Sequence, residues 1–413
     1  MRILLFAEAL YPPAYIPRLR YFCSYFIKKG WSVDLVIENS NYPDHIPEVT
    51  SHLSIDYYTT KKGVLSKIEW GCKFLLNLFC DYKGDYFYRK SASYLEGKQF
   101  DLVFCSSFNT FPLTTAAKVA KKNGIPLFVD LRDIDEQSPD DYYHIIHKPA
   151  KFHKKLTTAI YRKINVSRRN KVLRVAAGVT TVSPWHVHVL SKYNASTYLI
   201  YNGFDENEFT PELLKTERFT ISYFGKIHNE QMQNPTLLFS AIKSLNNKGI
   251  ILTENTVVKW FLNEDSKTII QSIANNYDLD CLMEYNSFVQ HNALSKVMNQ
   301  SSILLVLRNI PGRKRYFGIM TTKFFEAIGA NRPILCIPDN SDNLSELIKT
   351  TKCGLVSSNS IEVENFLLDN FLEWQKTGLT KSLLSEDIRM NFSRKQGAKI
   401  LEELFVDTLK KQK

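Results

Sequence analysis

Short apolar runs alternate with amphipathic segments along this chain, and the alternation starts afresh midway. Residues 2–7, 32–37, 101–105 and 125–130 read as buried strands, with helical spacing over 16–29 and 111–122. Leu19, Phe22, Cys23, Phe26 and Ile27 share one face of the first helix, which ends at Gly30. The pattern restarts after Asn202-Gly203-Phe204-Asp205, with strands over 220–224, 256–262, 281–285 and 302–307 and helices over 235–246 and 291–299. Buried strands joined through helices form parallel sheets covered on both faces. The chain has 413 residues, more than one core usually serves. The expected fold class is therefore α/β, two Rossmann-like domains facing across a cleft, with a C-terminal helix crossing back to the first. The expected domains are 1–203, 204–387 and a helix over 388–413.

The seven cysteines are scattered, with no C-x-x-C pair, as in a reducing cytoplasm. Cys105 and Cys336 read as small core residues in strands. The N-terminal apolar run, broken by Glu8 and Pro12-Pro13, is read as a strand and not a leader. Of the net charge of +11, all resides in one region: residues 142–204 hold eleven Lys or Arg and no Asp or Glu. Ten of the eleven lie from Lys148 to Arg174. An anionic lipid surface, an anionic substrate or nucleic acid would each answer to such a tract.

A second unusual segment runs from Lys61 to Lys83, where Ile68, Trp70, Phe74, Leu75, Leu78 and Phe79 mix with lysines. It fits a helix lying in a membrane interface, or else a core helix with snorkelling lysines. His186 and His188, two apart on a helix, read as surface residues.

The stretch Gly318-Ile319-Met320-Thr321-Thr322-Lys323-Phe324-Phe325-Glu326 reads as a polar loop running into a helix, followed by a buried strand at Pro333–Ile337. A helix start offers free N–H groups and the positive end of its dipole to an anion. With Thr322 as the N-cap, Glu326 falls outside a capping box and is free to meet sugar hydroxyls beyond a bound phosphate. Gly225 and Lys226 follow another strand, giving close backbone approach and a cation. Arg308, Arg313, Lys314 and Arg315 add charge before Gly318. Such cations can neutralise a diphosphate leaving group without a metal. Neither Asp133-Ile134-Asp135 nor Asp278-Leu279-Asp280 makes a good metal site, and no His/Cys cluster has metal spacing. No cofactor is expected. The first 29 residues contain no glycine, which argues against a dinucleotide loop, and a P-loop is missing. Leu131-Arg132-Asp133 follows a strand, with Asp133 a candidate base or an orienting group for Arg132.

Together these motifs resemble glycosyltransferase family 4, the retaining transferases with the GT-B fold. The resemblance runs from Arg18 and Asp130-Leu131-Arg132-Asp133 through Asn202-Gly203-Phe204-Asp205 and Tyr223-Phe224-Gly225-Lys226 to Lys323-Phe324-Phe325-Glu326-Ala327. It implies metal-independent hexosyl transfer from a nucleotide-sugar donor to a glycan or lipid-linked acceptor, in surface polysaccharide biosynthesis. By this resemblance Glu326 holds the ribose. Gly318, Ile319, Thr321, Thr322 and Lys323 belong to the diphosphate loop, with Gly225, Lys226 and Arg308 nearby, and Val289 lies at the base. Arg18 and Arg132 meet the acceptor, and Arg132, Asp133 and Lys226 are the catalytic candidates. Many members carry another Glu where this chain has Gly318. Lys61–Lys83 and Lys148–Arg174 then suit an anionic membrane at the inner face of the cell, with the chain cytoplasmic and peripheral.

Two rivals use the same features. A nucleotide-sugar epimerase would share the fold. A basic nucleic-acid-binding protein would use the 148–174 tract, but Phe152, His153 and Tyr161 make a poor series of stacking platforms there, so nucleic acid is not expected as a partner.

Overall fold

The computed structural model describes residues 1–8, 16–40, 46–59, 63–108, 110–137, 152–230, 232–309 and 318–411, with backbone alone over 152–155. The chain divides into two units, Met1–Tyr201 with Gly397–Lys413, and Asn202–Gln396.

The first unit has a seven-stranded sheet. Its strands are β1 (Arg2–Ala7), β2 (Ser32–Glu38), β3 (Ser51–Ile55), β4 (Leu102–Ser107), β5 (Leu127–Leu131), β6 (Gly178–Thr181) and β7 (Thr197–Leu199). They pair in parallel in the order β3-β2-β1-β4-β5-β6-β7. Alternation along a strand sends successive side chains to opposite faces. Leu4 and Phe6 accordingly enter one core with Val103 and Val129, while Ile3, Leu5 and Ala7 enter another with Leu35 and Phe104. This explains the unbroken apolar character of β1. The second core also receives Ala398, Leu401 and Phe405 of the C-terminal helix Arg394–Lys410. Where one helix is expected from 388, there are two, Glu386–Met390 and Arg394–Lys410. Ser393, between them, forms a bridge with Phe204.

The second unit has a six-stranded sheet of β8 (Phe219–Phe224), β9 (Thr256–Phe261), β10 (Met283–Asn286), β11 (Ile303–Leu307), β12 (Ile334–Ile337) and β13 (Gly354–Val356). The order β10-β9-β8-β11-β12-β13 is again all parallel. Cys105 in β4 and Cys336 in β12 are buried.

The helix Val64–Cys80 is turned inside out. It has no buried residue. Leu65, Ile68, Leu75, Leu76 and Phe79 are exposed, Phe79 by 81%. Lys73, Asn77 and Phe74 face the body instead: Lys73 pairs with Glu69 at 2.6 Å and donates to the Tyr57 carbonyl, Asn77 donates to Tyr161 Oη at 3.2 Å, and Phe74 stacks on the Tyr161 ring. The core-helix alternative is therefore excluded. Lys61 and Lys62 lie outside the described residues.

The basic tract is also not one open face. Arg169 is fully buried and grips Glu136 through both terminal nitrogens, at 2.8 and 2.5 Å. Arg168 donates to the carbonyls of Asn77 and Leu78, at the C-terminal end of the inside-out helix, and Arg162 donates to that of Asp135. Lys163, Lys171 and Arg174 are exposed. Lys148 and Lys151, and the side chains of Lys154 and Lys155, lie outside the described residues.

Candidate functional site

In the second unit the strand order reverses between β8 and β11, so a crevice opens beyond their carboxyl ends. Gly225 and Lys226 leave β8 there, and Arg308 leaves β11. Gly225 has φ +133, a region open to glycine, and a Cβ on it would collide with Nζ and Cε of Lys323. Lys323 belongs to the helix Thr322–Ala330. Its ammonium donates to Tyr223 Oη at 3.1 Å and sits 4.9 Å from that ring's centre. Burial lowers the Lys323 pKa to about 8, against the opposing pull of Glu326. Lys226 is exposed, and burial together with Lys226 and Lys323 lowers the His228 pKa. Two lysines, with a histidine that they and burial push toward its neutral form, thus gather at the end of β8.

The N-cap of this helix is Thr321, not Thr322, and no side chain caps it. Gly318 is buried in the left-handed region at φ +70. Arg313, Lys314 and Arg315 lie outside the described residues. The helix is held from behind by the Asn202-Gly203-Phe204-Asp205 connector. Phe209 and Phe204 lie so close to Gly329 that a Cβ there would meet them at 2.8 and 2.9 Å. Arg389, anchored on Glu386 at 2.7 Å, donates to the Gly329 carbonyl at 2.9 Å. Gly203 itself, at φ +62, lies where a Cβ would meet the Phe392 carbonyl at 2.7 Å. The motif's glycine and aromatic thus position the helix that carries Lys323 and Glu326.

Glu326 is half-buried, and none of the described residues donates a hydrogen bond to its carboxylate. Burial raises its pKa, while Arg394, His291 and Lys323 hold it down and Glu208 pushes it up. Glu208 and His291 pair at 3.0 Å. That bond lowers the Glu208 pKa and raises the His291 pKa. Arg394 is 4% exposed and its Nε has no partner among the described residues. Sequence reasoning missed Glu208, His291 and Arg394, which converge from three distant segments. The one available signal was the place of His291, two residues after Val289 at the start of the helix His291–Asn299. Val289 is half-buried, next to Phe288, which is 54% exposed.

Arg308 differs from its expectation. It is 7% exposed, ion-paired to Asp342, and donates to Ser345 Oγ at 2.9 Å. Asp342 in turn caps the helix Asn343–Thr351. The Arg308 charge is thus neutralised inside the fold.

In the first unit, Arg18 is 2% exposed. It pairs with Asp130 at 2.8 Å and donates to the carbonyls of Ile200 and Tyr201. Ser106 and Thr180 donate to the same carboxylate at 3.0 and 2.8 Å. Contrary to the acceptor-side expectation, Arg18 ties sheet to helix, with no open face. Arg132 pairs with Glu8, which also accepts from the Phe108 N–H at 3.0 Å. Asp133 accepts from Gln137 at 2.5 Å, and burial raises its pKa. His186 is fully buried and not a surface residue. Its Nε2 lies 2.7 Å from Gln137 Oε1 and its Nδ1 3.1 Å from Thr181 Oγ1. Burial lowers its pKa to about 4. A polar chain thus runs from Asp133 through Gln137 and His186 to Thr181.

No family model matches the sequence, and no curated protein matches it. Solved structures do. HepE of Anabaena in complex with UDP is 14% identical, over 98% of this chain and 100% of that one, with a TM-score of 0.64. A glycosyltransferase from Rickettsia africae is 13% identical over 99% and 98%, with a TM-score of 0.64. A Listeria monocytogenes protein described as a UDP-N-acetylglucosamine 2-epimerase is 11% identical over 97% and 95%, with a TM-score of 0.55. The fold is GT-B. In this GT-B chain the uncapped helix start, the Gly225 approach, the lysines and Glu326 form one arrangement, able to take an anion and a hydroxyl donor side by side. Among the described residues no helix is long and apolar enough to cross a membrane.

Proposed function

We propose that the chain is a retaining glycosyltransferase resembling family 4, moving a hexosyl group from a nucleotide-sugar donor to a glycan or lipid-linked acceptor in surface polysaccharide assembly. The observation that carries this reading is the Glu326 carboxylate, half-buried and without a hydrogen-bond donor among the described residues, one turn behind an uncapped helix start. In the reading, ribose hydroxyls donate to Glu326. The diphosphate meets the backbone from Gly318 through Ile319 to Thr322, close to Gly225, Lys226 and Lys323. Phe288, beside Val289, offers an aromatic face to the base. The UDP in the HepE structure supports a uridine donor.

The acceptor belongs to the first unit, near Arg132 and Asp133. Its oxygen bonds to the anomeric carbon on the face the diphosphate leaves. The broken bond's electron pair stays with the diphosphate, and the acceptor proton passes to a diphosphate oxygen. Lys226, Lys323 and the helix dipole stabilise the departing charge, so the step runs without a metal. The work takes place at the inner face of a membrane. The outward apolar stripe of Val64–Cys80 supports that, with Lys67 exposed on this helix and Lys163 exposed on the helix Phe152–Leu173. Each such cation adds about 1 kcal/mol on anionic lipid.

The Listeria neighbour keeps an epimerase as the second reading. Incubation with carbon-13-labelled UDP-sugars, with and without acceptor membranes, separates them. A new α-linked product that needs the membranes supports transfer. A changed sugar configuration without acceptor contradicts it.

A further inference from the structure

Charged side chains from four separate segments of the second unit converge beside the helix Thr322–Ala330. Glu326 belongs to that helix and Glu208 follows the Asn202-Gly203-Phe204-Asp205 connector. His291 begins the helix His291–Asn299, and Arg394 begins the helix Arg394–Lys410. Phe204 brings Arg394 against the face that carries Glu326. Its carbonyl accepts from the Arg394 backbone N–H at 2.8 Å, and its side chain packs on Gly329, where a Cβ would meet it at 2.9 Å. Gly329 and Glu326 are neighbours on one face of the helix, three residues apart. A ring contact fixes the same approach. Phe392, just before Arg394, is centred 6.2 Å from Phe325, next to Glu326 in the sequence.

Glu208 and His291 satisfy one another at 3.0 Å. Arg394 and Glu326 do not. Arg394 is 4% exposed, its Nε–H is buried without an acceptor, and it forms no ion pair among the described residues. Glu326 has no hydrogen-bond donor among them. An interior guanidinium lacking acceptors, beside a half-buried carboxylate lacking donors, is costly on both sides.

A group lodged between them that supplies what each lacks removes both costs. Arginine offers only donors, and an ionised carboxylate only acceptors. The group must accept on one side and donate on the other, and a hydroxyl does both. An anion would meet the charges of Glu208 and Glu326. A cation would meet those of Arg394 and of His291, whose bond to Glu208 draws it toward its charged form. The chemistry that fits is a neutral polyol. Donation to Glu326 alone would leave the hydroxyl lone pairs idle and Arg394 unsatisfied.

We propose that Arg394 is a second reader of the nucleotide's ribose: a hydroxyl that donates to Glu326 accepts from the Arg394 guanidinium, and the two side chains together select donors with an intact ribose diol; the inference rests on the transferase reading above. Titration calorimetry of UDP, 2′-deoxy-UDP and 3′-deoxy-UDP into the full chain tests it, with wild type, Arg394→Met and Arg394→Lys. Methionine keeps most of the buried stem and removes the donors. Wild type is expected to bind UDP at least about ten-fold more tightly than one of the deoxy nucleotides. That preference should fall at least about five-fold in Arg394→Met, through weaker binding of UDP, and recover in part in Arg394→Lys. Arg394→Gln replaces the methionine variant if that one does not fold. A packing role would weaken all three nucleotides equally and leave the preference intact, which overturns the proposal. The loss of preference should be the same at about pH 6 and about pH 8. Burial raises the Glu326 pKa and Arg394 opposes this, so a loss confined to the lower pH would mean that Arg394 only keeps Glu326 ionised, and would overturn the contact. A wild type that binds UDP and both deoxy nucleotides alike overturns the ribose reader and leaves the donor site standing. A wild type that binds no UDP overturns both.

Discussion

Lys323 lies across Gly225, its ammonium and last methylene occupying the space where any other residue would carry a Cβ. The Gly225 backbone, at φ +133, also lies where side chains are strained. Both ends of the contact belong to the crevice between β8 and β11. Gly225→Ala should therefore cost about 1–3 kcal/mol of stability through backbone strain. By displacing Lys323 it should also weaken UDP binding roughly ten-fold, or about 1.4 kcal/mol. Urea unfolding and titration calorimetry read the two effects separately. Wild-type affinity in Gly225→Ala would remove the contact from the donor site.

The same lysine predicts a pH dependence. Burial brings its pKa down to about 8 in the fold, against about 10.4 for an unfolded lysine. A lowered lysine pKa means the charged form is the costly one in the fold. Between these values the unfolded chain binds the extra proton, so the contribution of Lys323 to stability rises with pH. Binding a diphosphate should behave oppositely, since the neutral amine offers no charge. UDP affinity is expected to fall as pH passes about 8, and the fall should vanish in Lys323→Met. Calorimetry from pH 7 to pH 9 on both proteins checks this.

Arg308 and Arg18 should act through stability. Each is buried in a pair, with Asp342 and Asp130 respectively. Removing one member of such a pair leaves an uncompensated buried charge and costs about 3–5 kcal/mol. Asp342→Ala and Asp130→Ala should lower the unfolding free energy by that order. Below the melting transition, Asp342→Ala should bind UDP within about two-fold of wild type, a factor worth less than half of 1.4 kcal/mol. A loss of UDP affinity at unchanged stability would return Arg308 to the ligand.

The periodicity that made β1 legible is local: five successive buried residues serve two cores at once. The Gly225 turn and the helix bearing Glu326 were legible for the same reason, since each is a short contiguous stretch. Arg18 and Arg308 misled because a sequence shows a cation without its partner, and Asp130 and Asp342 lie 112 and 34 residues away. His186 misled in another way. Its spacing of two from His188 on a helix suggested surface, yet Gln137 and Thr181 satisfy both ring nitrogens in the interior. Glu208, His291 and Arg394 join Glu326 only through folding, and nothing local marks them as a group.

The central claim is that Glu326 holds the sugar hydroxyls of a nucleotide, and titration calorimetry of UDP into wild type and Glu326→Ala tests it most directly. GDP, dTDP and NAD serve as comparisons for the base and the cofactor class. The account predicts binding of one nucleoside diphosphate family to wild type. Hydrogen bonds to a charged group contribute about 1.5–3 kcal/mol, so affinity in Glu326→Ala should fall by that amount at unchanged melting temperature. Equal affinity in the two proteins would contradict the account, as would a wild type that binds none of the nucleoside diphosphates.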